Sequence, residues 1–299
     1  MAITSPAAGA KGSAASGNIT LGAPASPANG DIWIAVVHSS DQVAHTFTGW
    51  TQIAQGNGGG TTSRISVWWF RYAGSSPNLV VTHTAGQSPI GGIRAFRGCK
   101  ASGSPIGIVG TILGGTDGSI ESNSITPDVQ GSALLVCNGS ADDNSRTALG
   151  GDYAVAFEDT AGGVQNCYIT AQGTPDGSAC LFYDLSVPDS SVGPTVTQSA
   201  ADPWSSCLVE LLAEPDAYTI AGAITGTATV AAAMAIGYVI SGAITGAAIV
   251  AAAMGYNPNY SIVGAITGIA VVAATMEYTA GGGGGGYSAC RRVGLLGMS

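Results

Sequence analysis

Three histidines, His38, His45 and His83, lie near Asp41 in the sequence, and imidazole with carboxylate is the material of metal centres and acid–base pairs. Their spacing follows no tight metal-ligand pattern. A metal site formed by them at one end of a β-domain is the minor reading, and no metal is assigned. Asp142-Asp143-Asn144 and Glu158-Asp159 offer oxygens of the kind calcium takes, yet neither run completes a ligand loop, and both read as solvated loop acids. There is no Gly-x-Ser-x-Gly elbow, no phosphate-binding Gly-x-x-x-x-Gly-Lys loop and no His-Glu-x-x-His pair. No catalytic residue is assigned, no cofactor is implied, and the chain is not expected to be an enzyme.

Aromatic residues are the remaining candidates for ligand contact. In a strand through Trp68-Trp69-Phe70, side chains alternate, so Trp68, Phe70 and Tyr72 share one face while Ile65, Val67 and Trp69 share the other. Bulky groups on both faces need cover beyond one hydrophobic core. Covering loops are the simplest supply, a subunit interface the second and a sugar-stacking platform the third. On the third reading Trp50, Trp68, Phe70 and Tyr72 bind a host-surface glycan.

These groups sit in a chain of 299 residues with 9 Lys+Arg and 18 Asp+Glu, a net charge of −9. Charged residues make up 9%, against roughly 25% in ordinary soluble domains, while 45% are hydrophobic, which excludes disorder driven by charge. Arg291-Arg292 is the only adjacent basic pair, too little to neutralise nucleic-acid phosphates. Of the 6 cysteines, Cys290 follows the glycine run 281–286 and is the candidate for an intersubunit disulfide. The others lie in or beside apolar strand-like stretches and are expected as buried thiols. Met1 to Ser16 has no apolar run of signal-peptide length, so conventional secretion is not expected.

From Asn18 to Leu212, short apolar runs alternate with Gly, Ser, Pro, Asn and Asp clusters, the pattern of an antiparallel sandwich. Expected strands include Asp31 to Val37, Arg64 to Tyr72, Gly92 to Phe96, Ser132 to Cys137, Ala179 to Leu185 and Ser206 to Leu212. The expected fold is all-β: a jelly-roll or lectin-like antiparallel β-sandwich over 18–214, preceded by a flexible arm at 1–17. Two stretches, NGDIWIAVVHSSD from Asn29 and QGSALLVCNGSADD from Gln130, echo each other weakly, and the region is taken as one domain.

Residues 215–280 carry a repeat. Gly222 to Met234 reads GAITGTATVAAAM, Gly242 to Met254 reads GAITGAAIVAAAM, and Gly264 to Met276 reads GAITGIAVVAATM. With the preceding residues each copy follows Y-x-I-x-G-x-I-x-G-x-A-x-V-x-A-x-M, over 218–234, 238–254 and 260–276. All named positions have one parity, so in an extended chain they share a face. Three long strands joined as hairpins are expected. Membrane-spanning helices are the rival, because Gly222 and Gly226 have helix-contact spacing, but Ile, Val and Thr favour strands and no basic flank is present. Three ribbons leave an apolar face and two edges bare, so an oligomer is expected, with a homotrimer as its form. Tyr218, Ile220, Ile224, Tyr238, Ile240, Ile244, Tyr260, Ile262 and Ile266 are its expected contact residues. A Gly-rich linker and tail fill 281–299.

Through GDIWIAVV, GWTQIA and WWFRYAG, the GAITG-x-A-x-V-A-A repeats and the Gly-rich end, the chain resembles structural proteins of tailed bacteriophages. These are fibre, neck and capsid-decoration proteins with a β-sandwich head. The resemblance implies a place on the virion, association with other virion proteins and often a trimeric state; no catalytic residue carries over. A carbohydrate-binding adhesin module and a membrane-inserting ejection component are the alternatives.

Overall fold

The computed structural model describes residues 2–84, 87–127, 131–142, 146, 153–155, 168–169, 177–185 and 192–214, and beyond these the backbone of the strands between 218 and 297. Every helix or strand among them is a β-strand. The chain divides into two compact units, Met1–Glu214 and Pro215–Ser299.

The first half of unit one holds β1 (Gly12–Ser13), β2 (Ile19–Thr20), β3 (Ile32–Ser39), β4 (Thr46–Phe47), β5 (Thr51–Asn57), β6 (Arg64–Arg71), β7 (Val80–Thr82) and β8 (Ile90–Phe96). The second half holds β9 (Ile106–Val109), β10 (Leu113–Gly115), β11 (Ser119–Glu121), β12 (Ala133–Ser140), β13 (Ala154–Val155), β14 (Tyr168–Ile169), β15 (Ser178–Asp184), β16 (Thr195–Thr197) and β17 (Trp204–Leu211). Both halves follow one plan. The sheet order β1-β8-β3-β6-β5 of the first is matched by β10-β17-β12-β15-β13 in the second, and a small outer sheet, β2-β7-β4 or β11-β16, accompanies each. All pairings in this unit are antiparallel. The echo between Asn29 and Gln130 thus marks corresponding places: β3 and β12 are the two central strands. A glycine with positive φ precedes each, Gly30 at 91° and Gly131 at 82°, a turn that a side chain would strain.

Three apolar cores stack between these layers. Ile34, Val36, Leu135, Leu181 and Val209 fill the space between the two large sheets. Trp33, Val37, Trp68 and Ile93 on the outer face of the first sheet pack with Ile19, Phe47 and Val81 of its small sheet. Leu134, Phe182 and Leu208 meet Ile120 and Val196 in the same way on the other side. Burial on both faces explains why β3, β12, β15 and β17 read as continuous apolar runs rather than alternating ones. It also supplies the second cover that Trp68 requires: a small sheet.

The N-terminal residues are not a free arm. Thr4 and Ala8 bridge to Arg97 and Arg94, β1 pairs β8, and Ile3 is buried. β1 takes the place that β10 has beside β17, and Thr4 and Ala8 the place that β9 has, because an unpaired β8 edge needs a backbone partner.

The central strands cross closely at Gly139, which corresponds to His38 in the other half. A Cβ added there would lie 2.4 Å from His38 Cγ and 2.5 Å from its Cβ, too close for a ring held at its root. Gly139→Ala is expected to cost about 1–3 kcal/mol through overpacking. Adding His38→Ala should return most of that loss, and urea denaturation of the single and double variants measures the coupling. Independent effects at the two sites would contradict the crossing.

Unit two is wound differently from the hairpin expectation. Each repeat supplies three strands: β18 (Tyr218–Ala221), β19 (Ile224–Thr225) and β20 (Ala228–Met234); β21 (Tyr238–Ser241), β22 (Ile244–Thr245) and β23 (Ala248–Gly255); β24 (Ser261–Val263), β25 (Ile266–Thr267) and β26 (Ile269–Glu277). A last strand, β27 (Val293–Gly297), follows. The sheets are β18-β21-β24, β19-β22-β25 and β20-β23-β26-β27. Neighbouring repeats pair parallel, like position on like position: Ile220 with Ile240 and Ile240 with Ile262, Ile224 with Ile244 and Ile244 with Ile266. Hairpins cannot produce this, since parallel neighbours need a long crossover, and here the other two strands of the repeat are that crossover. The chain passes through three sheets once per repeat, the topology of a β-solenoid. Glycines 222, 226, 242, 246, 264 and 268, read as mid-strand by parity, lie outside the described residues.

Candidate functional site

Chemistry-bearing side chains concentrate where β3 ends. Ser39 closes β3 and Ser66 lies in β6, both on the face that carries Val37 and Trp68 toward the small sheet. His45 immediately precedes β4 and His83 immediately follows β7, so the pairing of Thr46 with Thr82 brings the two rings together, 4.8 Å between centroids. His45 and His83 thus meet beside Asp41 at one end of the first half.

The hydrogen bonds run in one direction. Ser39 Oγ donates to Asp41 Oδ1 at 3.2 Å, which leaves its oxygen to accept from His45 Nε2 at 3.1 Å. His45 Nδ1 then accepts from Ser66 Oγ at 2.8 Å, so the ring is neutral with its proton on Nε2. Asp41 Oδ1 also accepts from Val43 N at 2.8 Å and from His83 Nε2 at 3.1 Å, and Oδ2 accepts from Gln87 N. Burial alone would raise the Asp41 carboxyl, but the Gln87 and Val43 amides and His83 outweigh it and hold it below the usual range. Burial drives His45 well below its ordinary value, and His83, His38 and Arg64 push the same way against Asp41. His38 faces the inner core side of β3, where Nε2 lies 3.0 Å from Ser63 Oγ, whose hydroxyl donates to Ser205 Oγ at 3.0 Å. Burial first and Arg146 second pull His38 down to about 3.

A serine hydroxyl on an imidazole beside a carboxylate is a nucleophile's geometry, yet Ser66, His45 and Ser39 are all buried. Through Asp41 the network ties the segment after β3 to the segment before β8, and a latch is what it builds. The second half has a counterpart without titration near neutrality. Arg146 bridges Gln198, as His45 neighbours His83, and donates to Ser178 Oγ at 2.9 Å. Sequence reasoning found the histidines and Asp41 but missed Ser39, Ser66, Ser63 and Arg146. Polar residues inside otherwise apolar strands were the signal for the serines. Among the described residues no three His, Cys, Asp or Glu side chains converge as a metal site.

The aromatic candidates form one cluster centred on Trp33. Tyr72 stacks on Trp33 at 5.2 Å, Phe70 lies 6.1 Å and Trp50 6.4 Å from it, and Phe47 stacks on Trp50 at 4.4 Å. Trp50 is 8% exposed, donating Nε1–H to Asn78 O, and Trp68 is 7% exposed, so neither offers a face to a sugar. Phe70 and Tyr72 remain half-buried.

Cys99, Cys137 and Cys207 are free and buried as expected, and burial pushes the Cys99 and Cys207 thiols up to about 12. Cys180 departs from that expectation, being disulfide-bonded. Cys167, Cys290 and Tyr260, together with the linker 281–286, lie outside the described residues. No helix among the described residues is long and apolar enough to cross a membrane. Comparison with protein families, with curated proteins and with solved structures finds no match for this chain.

Proposed function

We propose that this chain is a non-enzymatic structural component of an assembled particle, of the kind found as an appendage or decoration on tailed-phage virions. The observation that carries the proposal is the parallel, in-register stacking of repeats whose sequence holds no Asp, Glu, Lys, Arg, His or Cys from Ala217 to Met276. The layered first unit is the head of such a component. Self-association as a homotrimer and contact with other virion proteins are part of the proposal. Because neighbouring repeats pair one another's backbones within a chain, the outer strands of each sheet are the edges a partner would meet. Attachment to a host-surface glycan, if the head performs it, falls to Phe70 and Tyr72.

Light scattering of the purified chain at micromolar concentration tests the assembly. The expected mass is three times that of one chain, and a monomer would remove the proposal.

A further inference from the structure

Growth of the solenoid is stopped on one of its sheets by a strand of opposite direction. In β20-β23-β26-β27 the first three strands are parallel and in register, Val230 beside Val250 beside Val272 and Met234 beside Met254 beside Met276. β27 pairs the far side of β26 antiparallel, Ile269 to Ala273 against Gly297 to Val293. The companion sheets end at β24 and β25, with no further strand among the described residues. A bare strand edge presents unpaired N–H and C=O groups to any chain of matching pattern. The matching pattern is present in the molecule: β26 receives β23 in the register in which β23 receives β20, so the edge of β26 also fits a β20 from elsewhere. No Asp, Glu, Lys or Arg lies from Ala217 to Met276 to repel such an approach. Asp216 precedes this stretch; on its other side Glu277 ends β26 and Arg291-Arg292 come just before β27, the placement by which natural sheets protect an edge.

We infer that β27 is a guard strand: it occupies the edge of β26 that otherwise accepts β20 of a second copy of this chain, and so restrains head-to-tail stacking of copies through their coils. Such a contact joins two different surfaces and does not close on itself, so its release gives filaments rather than a closed oligomer. This inference rests on the reading of the repeats as an assembling element and adds the partner and the segment that controls it.

The test is the full chain with Leu295→Pro, and separately with Leu296→Pro: in an antiparallel ladder the N–H groups of alternate residues face the partner, so one of these two adjacent prolines removes a bond to β26. The average mass by light scattering is expected to rise roughly tenfold or more over the parent as concentration increases, the length dependence of an open contact. Tryptophan emission should stay as in the parent, because Trp33, Trp50, Trp68, Trp69 and Trp204 all lie in the first unit. Excess peptide of residues 287–299 should return the mass to the parent value. Unchanged mass in both variants overturns the inference, and so does growth that the peptide fails to reverse. A monomeric parent with growing variants removes the trimer and leaves the guard; a trimeric parent with inert variants does the opposite.

Discussion

Lowering the pH from 7.5 to 4 is expected to cut the unfolding free energy of the first unit by on the order of 3 kcal/mol through His38 alone. Folding holds this imidazole at about 3, against an ordinary 6.5, because the ring is buried and Arg146 is near. The folded value lies below the unfolded one, so the unfolded chain binds the extra proton. The stability is fully present above pH 6.5, declines as the pH falls, and levels off near 3. His45 acts in the same direction, since burial also depresses it, and Asp41, held below its usual range, adds a further loss at the acid end of the window. Urea unfolding followed by tryptophan emission across this pH range measures the slope. Gln in place of His38 keeps a donor for Ser63 and cannot titrate, so His38→Gln should flatten the curve by about one proton's worth between pH 6.5 and 3. An unchanged slope would show that His38 is not the buried neutral group described here.

Trp68→Ala is expected to destabilise the first unit by about 3–5 kcal/mol, the cost of emptying a large aromatic site in a packed layer. Trp68 is 7% exposed and meets Phe47 edge-on at 6.4 Å, in the core shared by β6 and the small sheet. A midpoint in urea equal to the parent's would mean that the small sheet does not cover this face. The expectation decides how glycan attachment should be examined. Loss of binding in Trp68→Ala would follow from unfolding and say nothing about a sugar site. Tyr72→Ala is the informative change, because that ring is half-buried and its loss leaves Trp33, Trp50 and Phe47 packed.

The strands of the first unit were legible because their apolar runs are bounded by turn residues: Asp31 to Val37, Arg64 to Tyr72 and Ser206 to Leu212 all fall on strands. The short β1, β2, β4, β10 and β11 were not, since they hold few apolar residues and exist because a neighbour offers an edge; β9, Ile106–Val109, is apolar but only four residues long. The histidines and Asp41 were visible as a group, but Ser39 and Ser66 were not, for a hydroxyl's partner is settled by strand pairing across residues distant in the chain. In the repeats, composition and period established that the segment is extended and that its copies are equivalent. Direction of pairing was beyond reach there, because side chains alternate with a period of two whether neighbours run parallel or antiparallel. Composition, turn residues and repeat length are local properties, and they suffice to say that this chain is all-β with a threefold repeat. That the sandwich has two halves of one topology and outer sheets, and that the repeats wind rather than fold back, depends on which distant backbone groups satisfy one another, and that is settled only when the chain is packed.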